Sequence, residues 1–160
     1  MERKTKINAE DGKQDLMITR EFDLPVDLLF KAHSEADLIE QWMSNEYSNT
    51  KVVKMECQKH GSYQYETTDP KGNVVFRANG VIHNVFPNRK IIRTFEMENT
   101  PYGVQIEIYE FEPLTDETSK LNMHVIYESI DQRNQVLKLP FAQGINMAHN
   151  RIQEILGKLK

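Results

Sequence analysis

The chain has 160 residues, 39% of them hydrophobic and 28% charged, with a formal net charge of −4. That is the length and balance of one ordinary globular domain, able to bury about two-thirds of its unfolded surface without covalent staples. The acidic balance argues against non-specific nucleic-acid binding, and the single cysteine, Cys57, excludes an internal disulfide and fits a reducing compartment.

No apolar run reaches the ~20 residues of a membrane-spanning helix. Met1 to Gln14 is polar and lacks the apolar stretch of a signal peptide. It is expected to be a flexible segment ahead of one domain over 15–160 of a cytoplasmic protein. Asp15 to Asp23 alternates, with Leu16, Ile18, Arg20 and Phe22 on one side, which predicts a half-buried strand. Arg20 on that apolar side is expected to snorkel to the sheet edge rather than to anchor a ligand.

Pro25 suits the first turn of a helix whose buried edge is Val26, Leu29 and Phe30. Ser34-Glu35-Ala36-Asp37 has the form of a capping box with Ser34 as N-cap. It would open a second short helix with Leu38, Ile39 and Trp42 on its apolar side. Strands then dominate: Thr50 to Glu56, Gly61 to Thr68 with Tyr63, Tyr65 and Thr67 on one face, and Val74 to Phe86. Asp69-Pro70-Lys71-Gly72-Asn73 is turn chemistry, and Gly80 inside a strand suggests a bulge or bend. Arg89 to Met97, Val104 to Glu112 and Lys120 to Ile130 follow. Val104 to Glu112 is apolar on both faces, so alternation does not say which side points inward.

From Asp131 to Lys160 the chain reads as helix, broken or bent near Leu139 because Pro140 lies within it. Phe141, Ile145, Ala148, Ile152, Ile155, Leu156 and Leu159 recur at helical spacing and form one stripe. Gly144 and Ala148 on or beside it are small. Gly in a helix interior costs about 1 kcal/mol against Ala, so Gly144 marks either close approach or room left open. Short connections argue for an antiparallel meander, and its inner face must be covered by that helix. The expected class is α+β: a curved antiparallel sheet of six to seven strands wrapped around a long C-terminal helix, with two short helices after the first strand. A small hydrophobic ligand between helix and sheet is expected.

Three separated stretches carry a family resemblance: Ile18 to Pro25 with Leu28 to Ala32 and Leu38 to Trp42; Gly80 to Pro87; and Phe141 to Asn146 ahead of Arg151 to Leu156. Together they resemble the SRPBCC (START-like) superfamily, in the branch of homologues of the activator of the 90-kDa heat-shock-protein ATPase, over about Leu16 to Leu159. The resemblance implies a helix-grip fold with a cavity between sheet and long helix. It implies no single activity, since members include lipid and polyketide binders, cyclases and chaperone-binding proteins. Members typically carry a second Trp followed by Gly-Pro after the position of Trp42, where this chain reads Met43-Ser44-Asn45.

The chain holds no nucleotide loop, nucleophile elbow or paired-histidine zinc pattern. His33, His60, His83, His124 and His149 lack ligand spacing and are expected in structural or surface roles. His149 lies at the flank of the stripe; a surface-flank position is expected, with the cavity wall as the alternative. Glu107 is expected to be a solvated strand residue rather than a base. The candidate ligand-binding set is Trp42, Tyr63, Tyr65, Phe76, Phe95, Phe141, Gly144, Ile145, Ala148 and His149. No cofactor, metal or catalytic residue is expected, and the chain is expected as a monomer or homodimer. Ligand binding is the first functional reading, partnership with a chaperone the second, and a cyclase- or hydratase-type enzyme the third.

Overall fold

Alternating burial along the strands sorts the chain into an inner and an outer layer. The computed structural model describes residues 3–160, so the first two residues of the expected flexible segment lie outside the described residues. In order, the elements are β1 (Lys6–Asn8), β2 (Asp15–Phe22), α1 (Val26–Ser34), α2 (Ala36–Met43), β3 (Asn49–Met55), β4 (Ser62–Thr68), β5 (Val74–Phe86), β6 (Lys90–Met97), β7 (Val104–Pro113), β8 (Ser119–Ile126), α3 (Ile130–Leu137) and α4 (Phe141–Gly157). The strands form one antiparallel sheet in the order β1-β2-β8-β7-β6-β5-β4-β3. The α1–α2 connector carries the chain from β2 near one edge to β3 at the other. From β3 to β8 it is a meander, and β8 returns to pair with β2. The expected α+β helix-grip architecture is the one observed.

The sheet has eight strands rather than six to seven. The extra strand, β1, lies in the segment expected to be flexible and pairs Lys6 with Thr19 and Asn8 with Met17. Its order comes from long-range contacts that no local pattern announces. The Thr5 amide donates to Asn146 Oδ1 at 3.0 Å, and buried Arg133 donates from Nη1 to the carbonyls of Glu10 and Asp15.

On β2, Leu16, Ile18, Arg20 and Phe22 face inward, and on β4 Tyr63, Tyr65 and Thr67 do so. β7 places Glu107, Tyr109 and Phe111 inward and Ile106 outward. Ile152 and Leu156 of α4 are fully buried, while Leu159 lies beyond the helix and is exposed. Helices α3 and α4 are separate, with Pro140 at the N-cap of α4.

Two local expectations fail for physical reasons. The Ser34 hydroxyl donates to Phe30 O inside α1, and the N-cap of α2 is Glu35 in extended backbone, so no capping box forms. The register shifts on β5 fall at Val75, opposite Thr67 and Thr68, and between Ile82 and Asn84, rather than at Gly80. Gly80 serves close approach: a Cβ there would meet the Thr94 carbonyl oxygen and the ring and hydroxyl of Tyr63. A further irregularity interrupts edge strand β3 between Val52 and Lys54.

Candidate functional site

Between α4, α2 and the inner face of the sheet lies a cavity of about 590 Å³. Nine of the ten residues picked out in the sequence stand around it. Trp42, Tyr65, Phe76, Phe95, Phe141, Gly144, Ile145, Ala148 and His149 all line it. Tyr63 does not. Its ring lies under the Arg93 guanidinium, 4.5 Å from the ring centroid, and its hydroxyl donates to the Thr94 carbonyl. Trp42 is fixed by its indole N–H, which donates to Ala32 O at 2.7 Å. The carbonyl of Trp42 in turn accepts from Arg151 Nε of α4 at 2.7 Å, which ties α2 to the closing helix. Met43, where the family pattern has its second Trp, also lines the cavity.

Gly144 has nothing within 4 Å of where a Cβ would stand. Of the two explanations for glycine in this helix, room left open is the one observed.

One wall is polar. Arg93 of β6 and Glu107 of β7 are direct cross-strand partners, and Arg93 Nε donates to Glu107 Oε1 at 2.8 Å. Their side chains are 11% and 5% exposed. Arg93 also donates to the Tyr65 hydroxyl at 3.1 Å and the Tyr109 hydroxyl at 2.8 Å. The Tyr109 hydroxyl donates on to Glu107 Oε1, and Gln105 Nε2 donates to Glu107 Oε2. Glu107 is therefore a buried ion-pair partner and not the solvated strand residue expected. Burial holds the Tyr109 hydroxyl well above the usual phenol range, so it remains a proton donor.

Two histidines contribute to the lining. His33 of α1 is buried, packed against Phe111, Tyr109 and Trp42. Its Nδ1 lies 2.9 Å from Leu29 O, and a carbonyl only accepts, so Nδ1 carries the hydrogen and Nε2 the lone pair. Burial pushes its pKa down to about 4. His149 is also buried, against the expectation of a surface flank, with Nδ1 2.6 Å from Thr5 Oγ1. Burial, with the charge of Arg20 as a lesser cause, pushes it down to about 3. Arg20 neither snorkels to the sheet edge nor lines the cavity. It is buried inside the layer and donates to Asn150 Oδ1 of α4 at 2.9 Å and to Asn146 Oδ1. His60 and His83 lie with ring centroids 6.4 Å apart on exposed residues, and no group of three or more metal-ligating side chains occurs among the described residues.

The candidate set omits more than half of the lining, including the polar groups Arg93, Glu107, Tyr109 and His33, of which Glu107 was expected in solvent. The Arg93–Glu107 pair becomes visible only once the β6–β7 register is known. His33 had a signal that was available, since it falls four residues after Leu29 on the buried face of α1.

This geometry, a long helix closing over a curved antiparallel sheet with a lined cavity between them, is that of helix-grip domains of the SRPBCC type. The family model described as "Activator of Hsp90 ATPase homolog 1-like protein" matches residues 23–157, and the chain belongs to that family. No curated protein sequence matches the chain. Among solved structures it is similar to a protein from Rhodobacter sphaeroides, with a TM-score of 0.87 and 18% identity over 97% of this chain and 99% of that one. Protein Ms6760 from Mycobacterium smegmatis gives a TM-score of 0.84 and 22% identity over 96% of each chain. A protein from Arthrobacter aurescens gives 0.83 and 17%, over 96% of this chain and 91% of that one. At these identities the likeness speaks for the fold. No described helix is long and apolar enough to cross a membrane.

Proposed function

We propose that the protein binds a small, largely apolar molecule in the cavity between α4 and the sheet. The observation that carries this reading is the cavity itself: about 590 Å³, walled by aromatic and aliphatic side chains, with an open notch at Gly144. Its size falls within the range of about 300–1,000 Å³ usual for small-molecule sites, and a mainly apolar wall with a few fixed polar groups is their usual chemistry. Native mass spectrometry of the protein as purified tests it directly, by revealing a retained small molecule. Thermal-shift screening against fatty acids, sterols and aromatic polyketides provides the second arm. An empty protein that no compound stabilises would end this reading.

A second reading, partnership with the ATPase of the 90-kDa heat-shock protein, is supported by the family match over residues 23–157. Binding to the purified chaperone and stimulation of its ATPase test it. The third reading, a cyclase- or hydratase-type enzyme, draws support only from the titratable groups in the cavity wall. His33 and His149, with pKa values of about 4 and 3, are weak bases at neutral pH, which favours binding over proton abstraction.

A further inference from the structure

We infer that the cavity selects an uncharged molecule carrying a hydrogen-bond acceptor, seated against the Tyr65 hydroxyl, and rejects a carboxylate of the same shape. This rests on the reading of the cavity as a ligand site and adds the chemical class of the ligand.

The donor is identified by elimination. The Tyr65 hydroxyl accepts from Arg93 Nη1 at 3.1 Å and has no other hydrogen-bond partner among the described residues. A guanidinium only donates, so the phenolic proton of Tyr65 is unspent. The neighbouring Tyr109 hydroxyl differs, because its proton goes to Glu107 Oε1 at 3.0 Å. Tyr65 is buried and lines the cavity, so a carbonyl, ether or hydroxyl oxygen of a guest is the partner its proton lacks.

The exclusion of anions follows from charge. Among the described residues, Arg93 is the only lysine or arginine lining the cavity, and Glu107 sits 2.8 Å from its Nε. The lining histidines are neutral at neutral pH for the burial reasons given above. A carboxylate guest would lose its water and find the one nearby cation already matched. It would also approach the buried Glu107 carboxylate, a like charge. A neutral acceptor meets neither penalty and gains the hydrogen bond.

Three probes of one shape separate the possibilities: 2-acetylnaphthalene, 2-ethylnaphthalene and 2-naphthoate, titrated calorimetrically into the intact protein at neutral pH. The ketone is expected to bind about tenfold more tightly than the hydrocarbon, the worth of one net hydrogen bond, with naphthoate the weakest. Tyr65→Phe should erase the preference for ketone over hydrocarbon. Glu107→Gln, which leaves the Arg93 charge unmatched, should shift the ranking toward naphthoate. If that variant does not fold, the wild-type ranking and Tyr65→Phe decide alone. Naphthoate binding as tightly as the ketone, or ketone and hydrocarbon binding alike, overturns the inference while leaving the cavity a ligand site. Binding of none of the three, with no compound retained or stabilising, removes the ligand-site reading itself.

Discussion

Tyr63 and Gly80 stand directly opposite one another across the β4–β5 pair, and the side chain that Gly80 lacks is the space Tyr63 occupies. The Tyr63 hydroxyl reaches the Thr94 carbonyl of β6 through that gap, so one glycine lets a side chain of β4 fasten the second strand over. A methyl group at position 80 would press on a backbone carbonyl as well as on the ring, and the backbone cannot rotate away. Gly80→Ala should therefore destabilise the protein by about 1–3 kcal/mol, the usual scale of overpacking, read as a lower urea midpoint at unchanged slope.

The Arg93–Glu107 pair is closed in by tyrosines. The guanidinium lies 4.5 Å from the Tyr63 ring centroid and 5.0 Å from that of Tyr109. Arg93→Met would leave the Glu107 carboxylate buried without its cation. Stability should fall by about 3–5 kcal/mol, and Arg93→Met with Glu107→Gln should recover part of the loss. Equal stabilities for the single and double variants by equilibrium urea unfolding would contradict the pairing.

His33 and His149 set a pH dependence of stability. Both are less basic folded than unfolded, falling from 6.5 to about 4 and to about 3. Between those limits the unfolded chain holds the extra protons. Their contribution is therefore whole above pH 6.5, declines as the pH drops below it, and levels off once the folded imidazoles protonate. Every tenfold loss of proton affinity on folding corresponds to about 1.4 kcal/mol, so the decline should amount to several kcal/mol. His149→Gln should be less stable at neutral pH yet show a shallower decline toward acid in urea unfolding followed at a series of pH values.

Gly144 separates helix energetics from cavity occupancy. With open space at its Cβ position, Gly144→Ala should stabilise α4 by about 0.5–1 kcal/mol through helix propensity alone, visible as a raised Tm. Gly144→Phe should fill the notch and abolish thermal stabilisation by 2-acetylnaphthalene while the protein stays folded by circular dichroism.

Much of the architecture could be read from period and punctuation. The common face of Tyr63, Tyr65 and Thr67, the stripe through Ile152 and Leu156, and the break near Leu139 are all local signals that packing then respected. Alternation failed on β7 because apolar residues occupy both faces there. The inward face carries Tyr109 and Phe111 together with Glu107, a charged residue that hydropathy sends outward and that is paired inside with Arg93. β1 was illegible for a related reason, since its anchors Asn146 and Arg133 lie far along the chain. The aromatic and small residues of the cavity wall were visible at the right periods. Its polar wall was not, because an ion pair between neighbouring strands is a property of register.

The outer strands of the sheet also bear on how these molecules behave in a crowd. β1 is three residues long, too short to template another chain. β3 is seven, but its ladder is interrupted between Val52 and Lys54, and Lys51 and Lys54 project into solvent along it. A neighbour trying to add a strand there would meet a kinked margin bearing positive charge. Fibril growth by edge-on stacking is thus discouraged at both margins.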